Sequence, residues 1–151
     1  MIKAQGTSPY RVPVSDRIGA VVFAVAFLGV LVVAAGLSPD PRGEGTHTQL
    51  GMPPCGWASR FGKPCPTCGM TTAFAHTAHL GFWKAFLTQP MGFVLAVGTA
   101  AGFWVAMHVA LTGSQLGRTC ARMMTPRVLW AMAGLLGVAW AYKYVTWPAG
   151  G

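Results

Sequence analysis

The sequence predicts an all-α integral membrane protein with three transmembrane helices and one interfacial or re-entrant helix. Three observations carry that prediction. Apolar residues make up 53% of the chain and charged residues 9%, against about 25% charged in soluble domains. Three long runs with almost no charge lie at 18–37, 91–111 and 128–147. Each matches the roughly 20 residues that cross a hydrocarbon core. Pro and Gly crowd the segment after the first run, which prohibits a long helix there. With 151 residues the chain is one domain.

The net charge of +8 comes from 11 basic and 3 acidic residues. The basic residues sit between apolar runs and form no aromatic-flanked basic face. They therefore predict anchoring beside a lipid bilayer and no nucleic-acid partner.

Residues 1–17 are polar, with Lys3, Arg11 and Arg17 against Asp16, and read as an irregular cytoplasmic tail. Ile18 to Leu37 has no charge over 20 residues. It exceeds the 7–15 residues of a secretory-signal core, so a retained span is expected rather than a cleaved leader. Residues 38–69 form an extramembrane loop that is rich in Pro and Gly and ends in the cysteine motif. Residues 70–88 read as one helix of about five turns, with Thr67 or Gly69 near its N-cap. Phe74, Leu80, Phe82, Trp83 and Phe86 give it bulk, while His76, Thr77, His79 and Lys84 make it too polar for a span. An interfacial helix is expected, closed by Gln89-Pro90.

The second span, 91–111, holds Gly98 and Gly102 four residues apart on one face. That spacing admits a close-packed helix, including one from a membrane-protein partner. Residues 112–127 form a basic loop with Arg118, Arg122 and Arg127 and no acid. The third span, 128–147, ends in Trp140, Tyr142, Tyr144 and Trp147, an interfacial aromatic belt where Lys143 can snorkel. Arg17, Arg118, Arg122 and Arg127 crowd the span ends on one side. The N-terminus is therefore placed inside and the cysteine motif outside.

Chemistry concentrates in Cys65-Pro66-Thr67-Cys68-Gly69, with Cys55 ten residues upstream of Cys65. Cys55, Cys65 and Cys68 with His76 or His79 supply acceptable ligand types for tetrahedral zinc or another thiophilic metal. His47 is a poorer ligand candidate by its distance along the chain. The same atoms also support thiol–disulfide exchange, with Cys65 attacking and Cys68 resolving near a helix N-terminus. A βαβ context for that chemistry is missing. A third reading is a disulfide that staples the loop. Gly69 in place of His after Cys68 disfavours haem attachment. Asp16, Asp40 and Glu44 cannot form an acid/base pair across a membrane. No phosphate loop or nucleophile elbow is present either.

Cys55, followed by Gly62-Lys63-Pro64-Cys65-Pro66-Thr67-Cys68-Gly69-Met70-Thr71-Thr72-Ala73-Phe74, resembles the signature of a bacterial membrane family, domain of unknown function 2752. The resemblance continues through His79-Leu80-Gly81 and Ala85-Phe86-Leu87 to Gln89-Pro90-Met91-Gly92 and covers about residues 53–110. Thr72 stands where that family usually has Arg, and Gln89 where it usually has Asn. The resemblance implies a small multi-pass protein of the bacterial cytoplasmic membrane. It implies no activity.

Taken together, the sequence favours a non-enzymatic accessory or assembly subunit that uses an extracytoplasmic cysteine metal site. The alternatives are a membrane thiol–disulfide oxidoreductase using Cys65 and Cys68, and a purely structural subunit packed through Gly98 and Gly102.

Overall fold

The computed structural model describes residues 11–147 and is helical throughout, with no strand among them. The first span is α1, Val14–Gly36, and α2 is the short Gly56–Phe61. A single 3-10 turn, Thr46–Leu50, lies between them. Then come α3 (Met70–Ala78), α4 (Phe82–Thr88), α5 (Pro90–Thr112), α6 (Leu116–Met123) and α7 (Pro126–Thr146). Three of these helices, α1, α5 and α7, are long and apolar enough to cross a membrane. Their 23, 23 and 21 residues correspond to about 32–35 Å at the helical rise of ~1.5 Å per residue.

The ends of these helices follow local chemistry. Proline occupies the first helical position of both α5 and α7, where its missing N–H costs nothing. Gly113, at φ 69°, ends α5 in the left-handed conformation. The first span begins at Val14, four residues earlier than the uncharged run, because Asp16 and Arg17 are used rather than excluded. Arg17 donates from Nε and Nη2 to the Ala110 carbonyl at 3.1 and 2.9 Å, capping the open end of α5. Asp16 pairs with Arg118 at 2.7 Å. These contacts place the start of α1, the end of α5 and α6 at one end of the bundle.

Two stretches differ from expectation. Residues 70–88 are not one helix. They break at Leu80, which adopts φ 60°. Gly81 N–H then donates to His76 O at 2.8 Å and Leu80 N–H to Thr77 O at 3.1 Å, the paired bonds of a Schellman helix stop. The resulting helices have 9 and 7 residues, too short to cross a hydrocarbon core of about 30 Å. The 112–127 segment is not a plain loop either. It contains α6, whose Gly117 packs near Val109 of α5.

Close packing within the bundle rests on two glycines of α5. A Cβ at Gly102 would come within 2.8 Å of the Phe27 ring of α1, and one at Gly92 within 2.9 Å of Ala73 Cβ in α3. Gly98 faces open space. A partner helix using Gly98 and Gly102 together would therefore have to displace Phe27.

Candidate functional site

The cysteine motif lies at the end of the bundle opposite α6, where α1 and α7 finish and α5 begins. Its turn is closed by Cys68 N–H donating to Cys65 O at 3.0 Å and by Met70 N–H donating to Thr67 O at 3.1 Å. Gly69, at φ 84°, then opens α3. This glycine is required twice. The backbone is left-handed, and a Cβ would lie 2.6 Å from the Gly43 carbonyl oxygen. The bare backbone lets the 38–45 loop close over the motif, and that approach delivers the next side chain, Glu44, to the thiols.

Long-range contacts fix both peptide carbonyls that flank Cys65. Trp140 Nε1 of α7 donates to Pro64 O at 3.1 Å. Gln89 Nε2 donates to Pro66 O at 3.2 Å. Gln89 is fully buried, so the residue that replaces the expected Asn holds the turn from below. Lys63 Nζ lies 4.8 Å above the Tyr144 ring, and Tyr142 donates to Leu87 O at 3.1 Å. The aromatic end of α7 thus grips the loop as well as forming a belt. Lys143 does not snorkel. It is buried and donates to the carbonyls of Gly43 at 3.2 Å and Thr88 at 3.5 Å.

A cavity of about 530 Å³ opens beside the motif, lined by Cys55, Cys65, Cys68, Glu44, His47 and Thr67 among others. All four cysteines of the chain are free thiols. Cys68 is buried, and its Sγ donates to Glu44 Oε2 at 3.2 Å. Burial, the Glu44 hydrogen bond and the nearby negative charge together push this thiol up to about 12. Cys65 is half-buried and lies 3.4 Å from Thr67 Oγ1. Burial pushes its thiol up, but the Thr67 hydroxyl and backbone, aided by the Cys55 and Cys68 thiols, outweigh that and set it below the ordinary range.

Of the predicted metal ligands, Cys55, Cys65 and Cys68 share one cavity, and His76 and His79 lie outside it. His76 and His79 line a separate cavity with Pro39, Trp83 and Lys84. His79 Nε2 is 3.1 Å from Leu37 O and ties α3 to the end of α1. Burial, then Lys84 and His79, lowers the His76 pKa. His47, ranked lower by its distance along the chain, is the histidine that lines the cysteine cavity. Among the described residues, no three of His, Cys, Asp and Glu are arranged to hold a metal ion. His76 and His79 do not line the cavity that holds the three cysteines.

Thr72, standing where Arg is usual in the resembling family, points to no charged partner. Its hydroxyl is buried and lies 2.8 Å from that of Thr46, which also accepts from Asp40 N–H at 3.1 Å. This pair pins the 38–50 loop to α3. Asp40 in turn binds Arg42 at 2.8 Å, and that hydrogen bond holds its carboxyl below the usual range.

Residues 55–103 match the family model described as protein of unknown function (DUF2752). Over this segment the chain is similar to that family. No curated protein and no solved structure matches the chain. The DUF2752 segment supplies all three clustered cysteines, Thr67 and Gln89. Glu44, Trp140 and Lys143 come from outside it. The environment of Cys68 is therefore built from residues both inside and outside the matched segment.

Proposed function

We propose that the DUF2752 motif of this chain is a membrane-anchored dithiol that exchanges disulfides with a thiol substrate. One observation carries the reading. The half-buried Cys65 fronts a buried Cys68 whose S–H is held 3.2 Å from a carboxylate. In this scheme the Cys65 thiolate attacks one sulfur of a substrate disulfide. A mixed disulfide forms and the first substrate thiolate leaves. Cys68 then gives its proton to Glu44 and attacks Cys65 Sγ. The second substrate thiolate leaves, and a Cys65–Cys68 disulfide remains. The substrate gains two electrons and the pair loses two, and the reverse sequence oxidises a substrate dithiol.

The two thiols differ in a way that suits these roles. An attacking sulfur works best as an accessible thiolate, whereas a resolving sulfur is best kept protonated until it is needed. Proton removal by Glu44 then makes the second step depend on the first having placed a disulfide beside it.

Arg17, Arg118, Arg122 and Arg127 gather at the opposite end with Asp16 as the local acid. In this reading the cysteines face the outer, oxidising side of a bacterial cytoplasmic membrane, an orientation that the positive-inside rule supports.

The decisive experiment uses the full chain in detergent with glutathione disulfide. Cys68→Ser is expected to accumulate a mixed disulfide at Cys65, and Cys65→Ser is expected to form none at Cys68. The absence of any adduct in Cys68→Ser, together with stoichiometric zinc retained through purification and lost in that variant, would overturn the exchange reading in favour of a metal centre.

A further inference from the structure

The short helix α2 is part of the wall of the cysteine cavity. Ala58 and Ser59 line that cavity, and Ser59 Oγ donates to the Cys55 carbonyl at 3.1 Å, so the helix also holds the third thiol. At about 100° per residue, Trp57, Arg60 and Phe61 fall together on the opposite face. None of these three lines the cavity. The Trp57 and Phe61 rings pack on each other with centroids 5.2 Å apart. They nevertheless stay 49% and 62% exposed, and α2 buries no residue. Gly51 and Gly62, both at positive φ, bracket the segment. Packing within the chain therefore does little to fix this wall.

The height of α2 along the bundle is set by α7. Pro64 O accepts from Trp140, and Lys63 lies over the Tyr144 ring. Both aromatic residues stand less than two turns before α7 ends at Thr146. The chain from Phe61 to Pro64 spans at most about 11 Å. The uncovered rings of α2 are thus held beside the aromatic belt of a helix long and apolar enough to cross a membrane.

We propose that α2 is an interfacial anchor, whose Trp57–Phe61 face enters the phospholipid headgroup boundary so that the bilayer holds the wall of the cysteine cavity in place. An indole is at home there, with its ring against apolar carbon and its N–H toward water. Arg60 can lay its stem beside the rings and carry its charge to the lipid phosphates. Continuity with Trp140 and Tyr144 selects lipid as the occupant, because the same boundary already meets the belt on α7. The inference goes beyond thiol exchange and does not depend on it.

The first test uses the full chain in phosphatidylcholine nanodiscs that contain lipid brominated near the headgroup end of its acyl chains. Trp57→Phe removes one of six tryptophans and keeps an aromatic ring, so the emission of wild type minus variant isolates Trp57. That emission is expected to be quenched by the brominated lipid and spared by aqueous iodide. Quenching by iodide alone places the face in water and overturns the anchor. Protection from both quenchers places a protein surface on the rings, a second copy of this chain included, and overturns it as well.

A second measurement reads the wall. Alkylation of Cys55 by a membrane-impermeant maleimide is compared in nanodiscs between wild type and Trp57→Ser/Phe61→Ser. The two rings lie outside the cavity lining, so truncating them opens no direct path to the thiol. Lost anchoring is expected to raise the Cys55 rate about tenfold, the equivalent of ~1.4 kcal/mol. Cys120, at the far end of the bundle, is expected to keep its wild-type rate and so report an intact fold. In lipid-free amphipol the two proteins are expected to react alike at Cys55. An unchanged rate in nanodiscs, or a gap that persists without lipid, overturns the hold of the bilayer on the wall. The quenching result decides the lipid contact even where the double variant folds poorly.

Discussion

Cys68 and Glu44, 24 residues apart in sequence, share a hydrogen bond of 3.2 Å between Sγ and Oε2. A buried thiol facing a carboxylate cannot ionise easily, because burial and the adjacent negative charge both favour the protonated form. Glu44→Gln removes the charge and leaves the burial. The Cys68 thiol is expected to fall from about 12 toward the unperturbed value of about 8.5 without reaching it. Alkylation by iodoacetamide across pH, read at each cysteine by mass spectrometry, checks this. Cys68 should react at lower pH in the variant, while Cys65 should remain the faster site.

The raised Cys68 pKa also fixes a pH dependence of stability. A group that holds its proton more tightly when folded stabilises the fold fully below its unfolded pKa, and that stabilisation is lost as pH rises toward the folded value. For Cys68 the window runs from about 8.5 in the unfolded chain to about 12 in the folded one. Thermal midpoints measured between pH 8 and pH 10 should fall for wild type, and fall less steeply for Cys68→Ser. Equal slopes would remove Cys68 from the account.

The carbonyls of Pro64 and Pro66, on either side of Cys65, depend on two distant side chains, Trp140 of α7 and Gln89 between α4 and α5. Trp140→Phe keeps the ring and deletes the donor to Pro64 O, and Gln89→Leu deletes the donor to Pro66 O. Each lost hydrogen bond is expected to cost about 0.5–1.5 kcal/mol, visible in thermal unfolding in detergent. The double variant should also change the rate at which Cys65 is alkylated at neutral pH. A substitution that merely loosened the bundle would affect Cys120, at the far end, as well.

How much of this was legible in the sequence varies with range. The three spans are, because each is a long apolar run whose composition alone decides its solvent. The helix break at Leu80 is not. The absence of Pro suggested continuity, and the signal was Gly81, whose N–H closes the stop. Helix α6 was hidden because charge and length suggested a loop, although its Arg and apolar residues alternate with helical spacing. The thiol pair itself was visible as Cys65 and Cys68. Its surroundings were not, since Glu44 and Lys143 arrive through contacts spanning 24 and 100 residues. One hint was available for Glu44, as one of two acids outside the tail in a chain that has three. His76 and His79 are near the cysteines in sequence but line a different cavity. Helix α3 carries them away from the cysteines, while the folded loop brings His47 in.

Three glycines of α5 offer a graded test of the packing that presents the motif. Gly92→Ala sets a Cβ 2.9 Å from Ala73 Cβ and 3.2 Å from Met70 Cα. Neither atom is the end of a flexible side chain, so α3 and α5 must separate. Overpacking of this kind costs about 1–3 kcal/mol, and because Met70 and Ala73 open α3 directly after Gly69, Cys65 reactivity should shift with stability. Gly102→Ala meets the Phe27 ring edge at 2.8 Å. That ring can tilt, so a smaller loss is expected, with the thiols unchanged. Gly98→Ala meets nothing and should be neutral or slightly stabilising, since alanine is the better helix former by about 1 kcal/mol. Thermal midpoints in detergent, paired with Cys65 alkylation rates, give the order Gly92, Gly102, Gly98. A large loss at Gly98 would instead mean that another helix occupies that open face.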